Sequence, residues 1–379
     1  MKIRDCRPKR KGNILVLTAV MMIGLFSLLA LAIDLGYLQV ARTELQRSAD
    51  AAALAATWEL IDEDALAGYS SPYYLAASAR AVATQFAQLN PVTTQSPALD
   101  QQEILVGYIA NPMDPASPLI LNSPYPANAV QVLVRKAAGM NGEVPLFFAR
   151  ALGDTGSSLE AGATAALLNN FGGFRPPPGS GNLGIVPIAL DVDTWNNLWM
   201  GIGTDNWTWN AQLEEVTAGP DGILEANLFP QGSLTPGNRG TVDIGSNNNS
   251  TADIARQIVH GVSPEDLAYH GGTLELDENG QLILNGDTGI SAGVKDELAS
   301  IIREPRIIPL FSQVVGPGNN AQYTIVKFVG IRILDVKLTG SMSSKRVTVQ
   351  PAVVVATGGI PRSGAQTSDF VYSPVWLVR

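Results

Sequence analysis

Apolar positions dominate one stretch of the chain and then become periodic. From Ile14 to Asp34 about twenty-one residues are almost uninterruptedly apolar, and the pattern then changes without a break into LGYLQVARTELQRSADAAALAA. A helix rises ~1.5 Å per residue, so such a run crosses a hydrocarbon layer of ~30 Å. Backbone groups in lipid must be satisfied within the segment, so this stretch is expected to be a transmembrane helix, 13–34, with Ile14, Leu17, Met21, Leu25, Leu28 and Ile33 in the span. Beyond it, Leu38, Ala41, Leu45, Ala49, Ala52 and Ala56 recur at spacings of three and four and fall on one helical face. Two uses of that face stay open: packing on the chain's own folded unit, or also on identical or related helices.

Further on, the pattern predicts a helix at residues 73–89 after Ser70-Ser71-Pro72, ending at Asn90-Pro91. Strands are expected at 103–110, 129–136 and 159–168, with Phe147 and Phe148 plugging a core. Gly and three consecutive prolines at 171–182 predict a linker. After it the residues Gly184–Leu190 read as a buried strand. Thr251–His260 reads as a helix capped by Ser250 or Thr251, and Ser291–Arg303 as a second helix. Residues 273–284 read as a hairpin turning at Asp277–Gly280. Strands follow at 306–315, 322–337 and 346–356. The fold class is therefore α+β: a transmembrane helix continuing into a long helix with a small α+β unit (35–170), then a mostly antiparallel β-rich domain (183–379).

Charge orients the anchor. Residues 1–12 hold six cations against Asp5, whereas Arg42, Glu44, Arg47 and Asp50 beyond the span nearly cancel. By the positive-inside rule, 1–12 form a cytoplasmic leader and the bulk lies outside, on the periplasmic side of the inner (plasma) membrane. A cleavable signal peptide is the rival reading, because Ala30-Leu31-Ala32 resembles a cut site; against it, the apolar core is long and the helical pattern continues through the cut. The net charge is −9, of which the leader contributes +5, leaving about −14 outside. An acidic body without a basic stripe excludes nucleic acid as a partner. A hydrophobic share of 46% and a charged share of 16% describe a folded chain. The single cysteine, Cys6, excludes an intrachain disulfide.

Candidate chemistry is sparse. Gly289-Ile290-Ser291-Ala292-Gly293 matches a nucleophile elbow, but both histidines, His260 and His270, precede the serine where a hydrolase of that type needs its base afterwards. Asp277–Gly280 begins like a calcium loop but lacks the sixth-position Gly and the twelfth-position Glu. Two histidines and one leader cysteine cannot assemble a zinc site beyond the span. Hence no catalytic residue, cofactor or metal ligand is assigned. Trp195, Trp199, Trp207 and Trp209 invite a glycan-stacking reading or, more simply, a core cluster whose indoles find partners.

The run from Arg10 to Ala56 resembles the N-terminal segment of TadE/TadG-like proteins of the tight-adherence (Flp) pilus assembly system. The matching features are the basic leader, Gly12-Asn13, Asp34 with Gly36-Tyr37, and Leu45-Gln46 leading to Ala49–Ala56. The resemblance extends to Pro145–Gly153 and Ala161–Ala166. It departs from pilins cut by a prepilin peptidase, since the fifth residue after Gly12 is Leu17 and not Glu. It also departs from larger TadG proteins with a metal-binding D-x-S-x-S, because Asp191-Val192-Asp193-Thr194-Trp195 lacks both serines. The resemblance implies a non-enzymatic, membrane-anchored structural component. Its partners would be membrane lipid and other pilus-assembly or pilin-like subunits, with oligomerisation through the N-terminal helix. The alternative is an exported binding module with a cleaved leader that recognises a glycan or surface ligand.

Overall fold

A computed structural model describes residues 13–179, 181–231, 240–287 and 292–378. The leader with Cys6 and Gly12, and Ser291, lie outside the described residues. The fold is α+β. Helix α1, Asn13–Trp58, spans 46 residues without interruption. Helix α2, Pro72–Leu89, follows, and beyond it the chain is dominated by strands, nearly all paired antiparallel.

The polypeptide forms two compact units that alternate along the sequence. One takes the residues up to Ala52, then Ala83–Ile104 and Val132–Ala163; the other takes Ala53–Val82, Leu105–Gln131 and everything from Thr164 on. In the first unit, Ala41, Leu45, Ser48, Ala49 and Ala52 of α1 are buried, as are Ala83 and Ala87 of α2 and Val132 and Val134 of the strand Ala129–Lys136. Small residues on both helices allow close backbone approach, and polar bonds fix the register. Ser48 Oγ donates to the Ala87 carbonyl at 3.3 Å, Glu44 Oε2 accepts the Thr93 N–H at 2.7 Å, and Gln46 Nε2 donates to the Gly162 carbonyl at 3.1 Å. Buried Glu103 pairs with Arg135, and buried Lys136 donates to Gln95 Oε1 at 2.9 Å. Neither charge is therefore left without a partner.

The second unit is organised on the 16-residue strand Gln322–Lys337. Pro305–Val315 covers one edge, antiparallel from Arg332 to Gln322. The other edge is shared: Leu282–Asp287 pairs at 322–325, Ser368–Asp369 runs parallel at 328–329, and Arg346–Pro351 pairs at 331–337. Both faces of the central strands are covered. Ile308, Leu310, Val329, Ile331 and Ile333 enter one core with Trp195 and Leu298, whereas Ile307, Phe311, Tyr323, Ile325 and Phe328 enter another with Phe171 and Phe174. Double-sided burial explains why Ile307-Ile308-Pro309-Leu310-Phe311 reads as a continuous apolar run and not an alternating one. Four short helices pack around this sheet: α3, Val192–Trp199; α4, Thr251–His260; α5, Pro264–Tyr269; and α6, Lys295–Ser300. Ser250 caps α4 in a capping box with Asp253. Helix α6 is a shorter piece of the helix expected over 291–303.

Three expectations need correction. Phe171–Phe174, at the front of the expected linker, is a fully buried strand pairing with Leu274–Glu275 and Gly359–Pro361. Its glycines are the reason. A Cβ on Gly173 would sit 2.4 Å from the Leu274 carbonyl oxygen, so only glycine admits this approach. Residues 273–284 do turn at Asp277–Gly280, with Asp277 N–H donating to the Gln281 carbonyl at 2.8 Å, but they form no hairpin. Leu274–Glu275 pairs with Phe171–Phe174, and Leu282–Asp287 joins the large sheet. Finally, Phe147 and Phe148 are exposed and plug no core.

Candidate functional site

The residues named for the span occupy the first five turns or so of α1, and all are exposed, from 44% at Ile33 to 77% at Ile14. This is a continuous run of exposed Leu, Ile, Met and Phe, and α1 is the one helix among the described residues long and apolar enough to cross a membrane. Its two hydroxyls are satisfied internally: Thr18 Oγ1 donates to the Ile14 carbonyl and Ser27 Oγ to the Ile23 carbonyl, each at 2.8 Å. The segment thus presents no unmet side-chain hydroxyl to its surroundings.

The face Leu38, Ala41, Leu45, Ala49, Ala52 and Ala56 behaves differently. Leu38 is half-buried and the other five are fully buried within the chain. The exposed residues of the same stretch are Gln39, Val40, Arg42, Thr43, Gln46 and Arg47.

Asp34 marks the change of character along α1. It is buried, and its carboxylate accepts three consecutive backbone N–H groups: Phe147 at 2.8 Å, Phe148 at 3.0 Å and Ala149 at 2.8 Å. The Tyr37 and Phe147 rings meet edge to face, 5.1 Å between centroids. Three donors from a turn opening into the short 3₁₀ segment Ala149–Leu152 converge on one carboxylate because those first-turn N–H groups have no partner within the segment. From the sequence, Asp34 closes the span and joins Gly36-Tyr37 in the resemblance, with no partner assigned to its carboxylate. An acidic group at that point is costly without donors, which was the available signal.

The second unit holds a cleft of about 920 Å³ lined by Tyr108, Tyr125, Trp199, Tyr372, Lys327 and Asp369, among others. Its charges are spoken for. Asp369 pairs with Lys327 at 3.0 Å and accepts the buried Trp195 Nε1–H at 2.9 Å. Burial pushes the Tyr372 hydroxyl up to about 12, so it stays protonated at neutral pH. A smaller cleft, about 440 Å³, lies beside Thr194, Leu198, Trp207 and Glu225. Neither histidine lines either cleft. The four tryptophans split up. Trp195 is core, Trp199 stands edge-on to it and faces the larger cleft, and Trp207 and Trp209 lie on the hairpin Trp207–Asn210/Glu215–Ala218. The Arg332 guanidinium lies 4.2 Å over Trp209, and burial lowers its pKa to about 10, which leaves it charged. Asp191, the residue nearest a metal motif, caps α3 by accepting the N–H groups of Asp193 and Thr194.

A long apolar N-terminal helix thus runs on into an α+β fold. Comparison with protein families adds two matches. Residues 12–68 match the Flp pilus-assembly TadE/G-like family, and residues 55–165 match the Tad-like Flp pilus-assembly family. Through this N-terminal region, residues 12–165, the chain is similar to Flp pilus-assembly proteins of the TadE/G-like and Tad-like kinds. The two matches together take in residues 12–165 and therefore include 53–82 and 105–131, which pack in the second unit. No curated protein and no solved structure matches the chain.

Proposed function

We propose that this pilus-assembly component is a non-enzymatic, single-pass structural protein of the inner (plasma) membrane, with residues 1–12 in the cytoplasm and the bulk on the periplasmic side. The observation that carries the proposal is the two-part character of α1: an exposed apolar first half and a second half with one face buried within the fold, with no break between them. A rigid helix so divided transmits the position of the membrane directly to the folded body. The Leu38–Ala56 face serves that coupling. Contacts with other pilus-assembly or pilin-like subunits, including oligomerisation through the N-terminal helix, then fall to surfaces outside the buried stripe. The larger β-rich unit presents the remaining binding surface. Lipid is the first partner of the span.

Carbonate washing of membranes tests the anchor: the full-length chain stays in the pellet, and release into the wash would overturn the proposal. A periplasm-active reporter fused after the last residue tests orientation, and activity confined to a cytosolic reporter would reverse it. The second reading, an exported module freed by cleavage and recognising a glycan, draws on the aromatic cleft at Trp199. N-terminal sequencing decides between them, since that reading requires a mature product beginning at Ile33.

A further inference from the structure

Resting on the anchor proposed above, we infer that the tip of the hairpin at residues 147–154 is a second membrane contact, lying in the headgroup region of the outer leaflet beside the point where α1 leaves the bilayer. The stem is the pair Val144–Pro145 and Gly156–Ser157, extended by Leu146 N–H donating to the Thr155 carbonyl at 3.2 Å. Between the arms the chain makes the 3₁₀ turn Ala149–Leu152 and reverses at Gly153, whose φ of +106° suits glycine. The tip is apolar yet bare. Phe147 and Phe148 are exposed, and Leu152, at 89%, covers itself with nothing.

Asp34 decides where this tip sits. It follows directly on Ile33, the last residue of the span, and holds the N–H groups of Phe147, Phe148 and Ala149 at about 3 Å. The tip is therefore pinned to the one turn of α1 that must lie at the hydrocarbon boundary if Ile14–Ile33 fills the ~30 Å core. Aromatic residues concentrate at that level of a bilayer, where a ring meets both acyl chain and headgroup. Arg150, exposed between Phe148 and Leu152, is placed to meet lipid phosphates with its guanidinium while its stem stays in the apolar layer. The occupant is a phospholipid surface, preferably anionic. Two contacts instead of one would hold α1 against rotation about its own axis and fix the direction in which the folded body leaves the membrane.

The test uses the full chain with Cys6→Ser, which removes its only cysteine, in vesicles of phosphatidylcholine and phosphatidylglycerol. Nitroxide labels are placed at Leu152→Cys, Phe148→Cys, Leu25→Cys within the span, and Leu89→Cys, an exposed position at the end of α2. Collision with oxygen, which favours lipid, is compared with collision with a water-soluble nickel chelate. Labels at 152 and 148 should favour oxygen, as at 25, whereas the label at 89 favours nickel. Adding Asp34→Asn, which cannot accept three donors, should shift the label at 152 towards nickel. Nickel-dominated collision at 152 and 148, with 25 in lipid, would overturn the inference and leave the anchor intact. Protection from both reagents would mean that another protein covers the tip, which also overturns it. Nickel access at 25 would remove the anchor and this contact together.

Discussion

Leu45 offers the sharpest measure of how α1 is held. It is fully buried at the centre of the stripe, and its flanking residues bond to the first unit: Glu44 to Thr93, Gln46 to Gly162, Arg47 to the Pro91 carbonyl. Leu45→Ala removes three buried carbons, a transfer loss of about 2.4 kcal/mol at ~0.8 kcal/mol each. A cavity term adds to this when rigid neighbours cannot collapse, and Leu→Ala substitutions in cores then cost about 3–5 kcal/mol. Alanine is the better helix former, which returns only a few tenths. The net expectation is a loss of about 3 kcal/mol in the opening free energy of the first unit, or roughly a hundredfold faster amide exchange at ~1.4 kcal/mol per decade. Hydrogen exchange read by mass spectrometry on the detergent-solubilised full chain, over peptides covering 83–89 and 132–136, measures it directly. Val40→Ala, on the exposed side of the same helix, is the internal reference and should change exchange by under about 0.5 kcal/mol. Equal effects of the two substitutions, or none at Leu45, would refute the claim that the stripe carries the packing.

Other outcomes follow from single contacts. Ser250→Ala removes the cap of α4 and its reciprocal bond with Asp253, and should cost about 1 kcal/mol in local exchange of the first turn. Gly173→Ala drives a methyl into the Leu274 carbonyl and should cost at least about 2 kcal/mol by separating Phe171–Phe174 from Leu274–Glu275; a wild-type urea midpoint for the second unit would contradict this. Burial, partly offset by Asp266, pushes His270 below its ordinary 6.5, and its Nε2 accepts the Gly245 N–H at 3.3 Å. The unfolded chain therefore takes up the proton first as pH falls. The contribution of neutral His270 is complete above 6.5 and declines below it, until the folded form also protonates. Protection of the Gly245 amide, corrected for intrinsic rates, should drop as pH falls through 6.5 and below, and His270→Gln should flatten that slope.

The elements legible in the sequence were those fixed by local pattern or by burial over a long run. The strands at 129–136 and 322–337 and the helices at 72–89 and 251–260 stand where periodicity and caps put them. What escaped was decided by distant partners. Phe171-Gly172-Gly173-Phe174 looks like a spacer because glycine usually signals freedom, yet here it signals close approach to residues about a hundred positions away. The turn at Asp277–Gly280 is local and was readable; the divergence of its arms depends on which sheet edge each finds. Helix α5 was readable in retrospect, since Ser263-Pro264-Glu265-Asp266 is a capping box with proline at the first position. At the candidate site the helix itself and the burial of Ala41, Leu45, Ala49, Ala52 and Ala56 could be read from the spacing. The grip of Asp34 on Phe147–Ala149 could not, because nothing in either segment identifies the other across more than a hundred residues.

The alternation of the two units constrains how such a protein can change over evolutionary time. The backbone passes from one unit to the other five times, at 52, 82, 104, 131 and 163. No single scission frees either, and a deletion that trims the tail strands the pieces at 53–82 and 105–131 without the rest of their core. Descendants of this chain would thus have to exchange the distal half by gradual substitution within it, since swapping it wholesale means rebuilding segments that lie inside the pilus-assembly region itself.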